Sequence, residues 1–187
     1  MKAYQLKVSI KNAHPPIWRR CIVPAGITFS QLGVLLNEIM GWNGSHLFSF
    51  DFRDIGVRID EMPDDDWGYW GMNAEEAAET LIDPYIEHSK WFTYIYDFGD
   101  NWEHRVDIES VLTNFGDMHP VVVKAKGACP FEDCGGLYGY YHILEALEDP
   151  AHEEYEDITE WVENTSDGAE KFDPAFYDMD GINRKLE

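Results

Sequence analysis

Tyr4, Leu6, Val8 and Ile10 alternate without a break with Gln5, Lys7, Ser9 and Lys11. A period of two is the signature of an extended chain with one buried face, because successive strand side chains point to opposite sides. A chain that starts this way must supply partner strands and something to cover the apolar face. The Asn12–Pro16 stretch reads as a turn, since Pro15 and Pro16 lack a backbone N–H and restrict the residue before them. A second strand is expected at about residues 17–23. Thr28-Phe29-Ser30-Gln31 then has the spacing of a capping box, followed by Leu32, Leu35, Leu36 and Ile39 at three- and four-residue intervals. That pattern predicts a core-facing helix ending near Gly41. Phe48, Phe50 and Phe52 mark a further alternating strand.

The order strand, strand, helix, strand is similar to the opening of a β-grasp roll. Residues 54–90 read as an insertion, with an acidic turn-rich run from Asp60 to Asp66 and a short capped helix starting at Asn73-Ala-Glu-Glu76. Strands are expected at Phe92–Tyr96 and Val106–Leu112, joined by Asp97-Phe98-Gly99-Asp100-Asn101, whose Gly-Asp-Asn core is hairpin chemistry. Another is expected near Val121–Val123. From residue 136 the chain reads as mainly helical. Tyr140, Ile143, Leu144 and Leu147 share one face, Asp149-Pro150 gives a cap signal before a helix burying Tyr155, Ile158 and Val162, and Asp173-Pro174 repeats that signal. With no internal repeat and no low-complexity linker, a single α+β domain over residues 1–187 is expected, built on a mixed or antiparallel sheet.

Charge is distributed unevenly. Residues 1–58 hold seven Lys and Arg against three Asp and Glu, whereas residues 59–187 hold seven against thirty-three, for a net charge of -22. Between Lys126 and Lys171 lie thirteen acids and no Lys or Arg. Nucleic-acid affinity rests on neutralising phosphates with cations, so this balance argues against general nucleic-acid binding, with Lys7, Lys11, Arg19 and Arg20 as the local exception. The acidic tract, including Glu153, Glu154, Glu156 and Asp157, suits a solvated helix face or a dock for a basic protein or peptide. The N-terminal segment lacks the apolar core of a signal peptide, and no run approaches a membrane span, so a cytoplasmic protein without a membrane partner is expected. Cys21, Cys129 and Cys134 are an odd number, which argues for thiols or ligands rather than a disulfide framework.

Several short blocks, taken together, carry a resemblance: Pro15-Pro16-Ile17-Trp18-Arg19-Arg20, Gly41-Trp42 with Ser45-His46-Leu47, Tyr96-Asp97-Phe98-Gly99-Asp100 with Trp102-Glu103-His104, Cys129-Pro130 with Glu132-Asp133-Cys134-Gly135-Gly136, and Phe172-Asp173-Pro174. Their order resembles the plasmid pRiA4b Orf-three-like family, also labelled a passenger protein of insertion elements, over nearly the whole chain. The resemblance implies an α+β fold and brings no activity with it.

His46, Asp97, Asp100, Glu103, His104, Glu132 and Asp133 are the polar residues in or beside these blocks. Imidazole with carboxylate suits a divalent cation such as zinc or manganese, and an open coordination position then activates water. The metal candidates are His46, Asp97, His104, Cys129 and Cys134; the catalytic candidates are His46, Asp97, Asp100, Glu103, His104 and Glu132. The alternative is that these side chains satisfy backbone groups in their own turns. Cys129 with His104 as base offers a nucleophilic pair. Trp18, Trp42, Trp102 and Tyr138 are candidates for an aromatic ligand groove, with burial in the core as the competing reading. Asp97-Phe98-Gly99 spells the kinase metal tripeptide but lacks the glycine-rich and catalytic loops that give it meaning. The expected function is therefore a non-catalytic binding or interaction module, with a divalent-metal-dependent hydrolase as the alternative.

Overall fold

The computed structural model describes residues 1–62, 73–116, 119–165 and 172–187. Its elements are β1 (Ala3–Ile10), β2 (Trp18–Pro24), α1 (Phe29–Met40), β3 (Phe48–Phe52), β4 (Val57–Asp60), β5 (Asn73–Glu76), α2 (Asp83–Ile86), β6 (Trp91–Tyr96), β7 (Trp102–Leu112), β8 (Val121–Lys126), α3 (Gly136–Glu148), α4 (Tyr155–Thr165) and α5 (Met179–Lys185). The strands form one sheet in the order β5-β4-β3-β6-β7-β1-β2-β8. Every pairing is antiparallel except β4 with β5. The fold is α+β with a mixed sheet, as the sequence pattern predicts.

Register explains the two faces. Val8 opposes Arg19 and Val106, His104 opposes Ile10 and Tyr94, and Tyr94 opposes Phe50. These residues form one continuous buried face. The helix α1 lies over it, placing Phe29 against Phe50 and Phe52 at ring-centroid distances of 4.9 and 5.6 Å. Thr28 closes the capping box with Gln31, and Gly41 ends the helix at φ 112°, a left-handed conformation that favours glycine. Phe29, Leu32, Leu36, Ile39 and Met40 are fully buried, and each contributes roughly 1.5–3 kcal/mol of transfer free energy.

The other face is polar and laced with ion pairs within and between strands. Arg20 binds Glu109 through Nε at 2.6 Å and Nη2 at 2.7 Å, Lys11 reaches Glu103 at 2.8 Å, and Arg58 bridges Asp60 at 2.9 Å and Asp51 at 3.2 Å. The basic N-terminal residues are thus largely answered by acids from later strands. Lys7 and Arg20 flank the Trp18 ring at 5.2 and 5.5 Å, and Arg19 points into the core. The four cations therefore do not form a free cationic patch.

Several local expectations are corrected. Asn73–Glu76 is a strand, not the start of a helix, because its backbone groups pair in parallel with Val57–Asp60 at the sheet edge. The described part of 54–90 thereby supplies two strands, and Ile59, Ala77, Ile82 and Ile86 join the core. The acidic run beyond Met62 falls outside the described residues. The strand expected from Val106 begins at Trp102, and the one near Val121 continues to Lys126. Helix α4 begins at Tyr155 rather than after Pro150, since the Asp149 side chain accepts the Ala151 N–H in a turn. The C-terminal helix is capped by Asp178 and not by Asp173. All three cysteines are free. Among the described residues no helix is long and apolar enough to cross a membrane.

His104 stands fully buried on the core face. Burial lowers its pKa from 6.5 to about 4. The unfolded chain therefore takes up a proton near pH 6.5 that the folded chain refuses until about pH 4. The associated stability is complete above that window and is lost as pH falls through it, by about 3 kcal/mol. Denaturant titrations from pH 7 to pH 4 are expected to show this decline in wild type. A His104→Phe variant should show a shallower decline, by close to one proton in slope; parallel profiles would contradict it.

Candidate functional site

Three loops meet at one end of the sheet. One leaves α1 at Gly41 and enters β3, one joins β6 to β7, and one runs from β8 to α3. Trp42 is their common floor. Its indole stacks on Tyr96 at 4.9 Å, lies 5.6 Å from Trp102, meets the edge of His104 at 5.2 Å, and donates Nε1–H to the Pro130 carbonyl at 3.0 Å. Glu132 ties the loops together by accepting the Asn43 N–H at 2.9 Å and the Tyr96 hydroxyl at 3.1 Å. Burial raises the pKa of both Glu132 and Tyr96. The Asp100 carboxylate accepts the Gly135 N–H at 3.0 Å and binds the second loop to the third.

On this scaffold His46, Asp97 and Asp133 converge. His46 Nε2 lies 3.2 Å from Asp133 Oδ1 and 3.8 Å from Asp97 Oδ2. One ligand atom from each of the three lies within 4.8 Å of the others. Side-chain exposure is 8% for Asp97, 29% for His46 and 72% for Asp133, so the cluster is walled on one side and open on the other. His46 Nε2 is itself buried without a well-formed hydrogen bond. Asp97 Oδ1 accepts the Gly99 N–H at 2.9 Å, which leaves Oδ2 for the cluster. Asp97, Asn101 and Asp133 all take φ 54°, a conformation uncommon for residues other than glycine and concentrated at functional sites.

The remaining sequence candidates sit elsewhere. His104 meets the same aromatic stack through Trp42 but is enclosed, with Nδ1 3.3 Å from the Tyr94 carbonyl. Glu103 projects to the polar face and pairs with Lys11, which lowers its pKa. Cys129 and Cys134 lie outside the cluster. Burial raises both thiols, Cys134 to about 12, so each stays protonated near neutrality. The aromatic candidates do not share a surface: Trp42 and Trp102 are buried, Trp18 lies on the polar face, and Tyr138 is 85% exposed. Trp102 does border a recess of about 240 Å³ with Lys11 and Asn101. A separate hollow of about 420 Å³ is mostly apolar, lined by residues including Pro15, Pro16, Tyr140, Tyr141, Leu144 and Pro174. Asp133 belongs to the polar set read from the sequence but to neither the metal nor the catalytic candidates.

Comparison with known proteins places these features in context. Residues 2–181 match the sequence model described as plasmid pRiA4b ORF-3-like protein. The chain is 37% identical over 183 residues to the uncharacterized protein y4hQ of Sinorhizobium fredii, covering 98% of this chain and 90% of that one. It is similar to the crystal structure of MM3350, a protein of unknown function from Methanosarcina mazei Go1, with a TM-score of 0.81, 34% identity, and coverage of 96% of this chain and 97% of the other.

Proposed function

The chain belongs to the plasmid pRiA4b ORF-3-like family, and from that premise we propose that it is a binding module that holds a divalent cation at His46, Asp97 and Asp133. The observation carrying this reading is the buried, unsatisfied His46 Nε2 aimed at two carboxylates from two other loops. One imidazole with two carboxylates suits manganese or zinc. The exposed side of Asp133 leaves coordination positions open to a ligand. Bound there, the cation would neutralise part of the charge on Asp97 and Asp133 and lock the three loops that carry the family-like blocks. The acidic surface of α4, where Glu156, Asp157, Glu160 and Glu163 are exposed, supports a basic protein or peptide as partner.

A hydrolytic use of the same cation is the second reading. It is favoured by Glu132, which neighbours Asp133, has a raised pKa, and is held in place by Tyr96 and Asn43. A divalent cation held by His46, Asp97 and Asp133 would supply Lewis-acid activation of water, and Glu132 would be the carboxylate placed to take up a proton.

Titration of the tag-free, chelator-treated protein with manganese, followed by the loss of the free-ion electron paramagnetic resonance signal, tests the first reading. Wild type is expected to bind, and Asp97→Asn to bind at least about tenfold more weakly. Asparagine keeps the Gly99 hydrogen bond and tolerates the left-handed backbone, so this variant should fold. Equal affinity in the two proteins would remove the site. For the second reading, Glu132→Gln should abolish chelator-sensitive ester or phosphoester hydrolysis while leaving manganese affinity in place.

A further inference from the structure

We propose a second cation site on the helical hairpin, formed by His142, His152 and Glu154 and suited to zinc or another borderline transition metal. His142 projects from α3, while His152 and Glu154 lie in the turn that leads into α4. The two imidazole centroids are 5.6 Å apart in an edge-on arrangement, and His142 Nε2 lies 2.8 Å from Glu154 Oε2. One ligand atom of each residue lies within 4.8 Å of the other two. Two imidazoles and one carboxylate are a set that favours zinc, nickel or copper over magnesium or calcium, which prefer oxygen alone.

The turn is already organised before any ion arrives. The Ala151 N–H donates to Asp149 Oδ1 at 2.9 Å, the His152 N–H to the Asp149 carbonyl at 2.9 Å, and the Tyr155 N–H to the His152 carbonyl at 3.1 Å. The His152 Nδ1 accepts the Glu154 N–H at 3.2 Å, which orients the ring beside its two partners. The chain between Lys126 and Lys171 holds thirteen acids and no Lys or Arg, a local charge balance that favours a cation. A bound ion would clip the turn that leads into α4 to the middle of α3 and thereby fix where the acidic helix sits. This site shares no residue with the His46 cluster and stands or falls separately from it.

Long-range proton–nitrogen spectra of the histidine rings, recorded while zinc is added to the chelator-treated full chain, test the proposal. The His142 and His152 ring nitrogens are expected to shift together and saturate, while the exposed His14 and His88 stay in place. Movement of His46 reports the first site and is read separately. Glu154→Gln should weaken zinc binding at these two rings at least about tenfold, and His142→Ala should abolish the His152 response. Parallel shifts of every exposed histidine, no shift in a large excess of zinc, or an unchanged response in Glu154→Gln would each overturn the site.

Discussion

Arg19→Ala is expected to lower the unfolding free energy by about 4 kcal/mol, read from urea titrations near neutral pH. The guanidinium is fully buried on the core face, with its Cζ 3.8 Å from the Tyr177 ring centroid. Its nitrogens donate to the Trp18 carbonyl at 3.1 Å, the Lys126 carbonyl at 3.0 Å and the Met40 carbonyl at 3.3 Å. Among the described residues no carboxylate pairs with it, and burial lowers its pKa. Its role is therefore to satisfy the backbone ends of α1, β2 and β8 and to seat Tyr177. Alanine would leave three carbonyls short of donors around a hole. Lysine cannot replace it, because one ammonium lacks the planar fork that spans separate acceptors. Methionine refills most of the volume and should recover only the part of the loss that comes from the hole, since it too leaves the three carbonyls without donors. Met40 and Lys126 immediately precede the loops that carry His46 and Asp133, so the alanine variant should also bind manganese more weakly. A loss below about 1 kcal/mol would show that the arginine is not the fastener described.

The second large effect is expected at Gly136. Its φ is +68°, and a Cβ there would stand 2.5 Å from the Asp100 carbonyl oxygen. Gly136→Ala therefore incurs both the left-handed backbone cost and a collision with main chain that no rotamer relieves. A combined loss of about 3 kcal/mol is expected in the same titration. Gly26 is the internal control, because it has φ +80° and nothing within 4 Å of the point where a Cβ would stand. Gly26→Ala should lose only about 1 kcal/mol. The difference between the two isolates the contact between the β6–β7 turn and the start of α3. Pushing that turn away separates Asp97 from Asp133, so manganese binding should fall in Gly136→Ala and persist in Gly26→Ala. Similar losses in both variants would mean that the close approach to Asp100 carries no energy of its own.

The charge segregation along the chain acquires its meaning only in the fold. Early cations face later acids across the sheet, as Arg20 faces Glu109 and Lys11 faces Glu103. Such partly exposed pairs are worth little individually, but they align strands of opposite sign. In α3 and α4 the sequence holds no Lys or Arg, and their acids stay at the surface.

Features set by neighbouring residues were legible from the sequence alone: the alternation that makes β1, the Thr28–Gln31 capping box, the Gly41 stop and the Asp97–Asn101 turn. Each depends on contacts within a few positions, where spacing and backbone preference decide the outcome. Asn73–Glu76 shows the limit, since its helix-start pattern was overridden by parallel pairing with a strand that local reading does not see. The candidate site lies beyond the same limit. His46, Asp97 and Asp133 were all visible as polar residues, yet only the pairing of β3 with β6 and the docking of the Glu132–Gly136 loop onto Asp100 brings them together, and the same packing encloses His104. Ligand geometry is a property of long-range contacts, and those are settled by the tertiary structure.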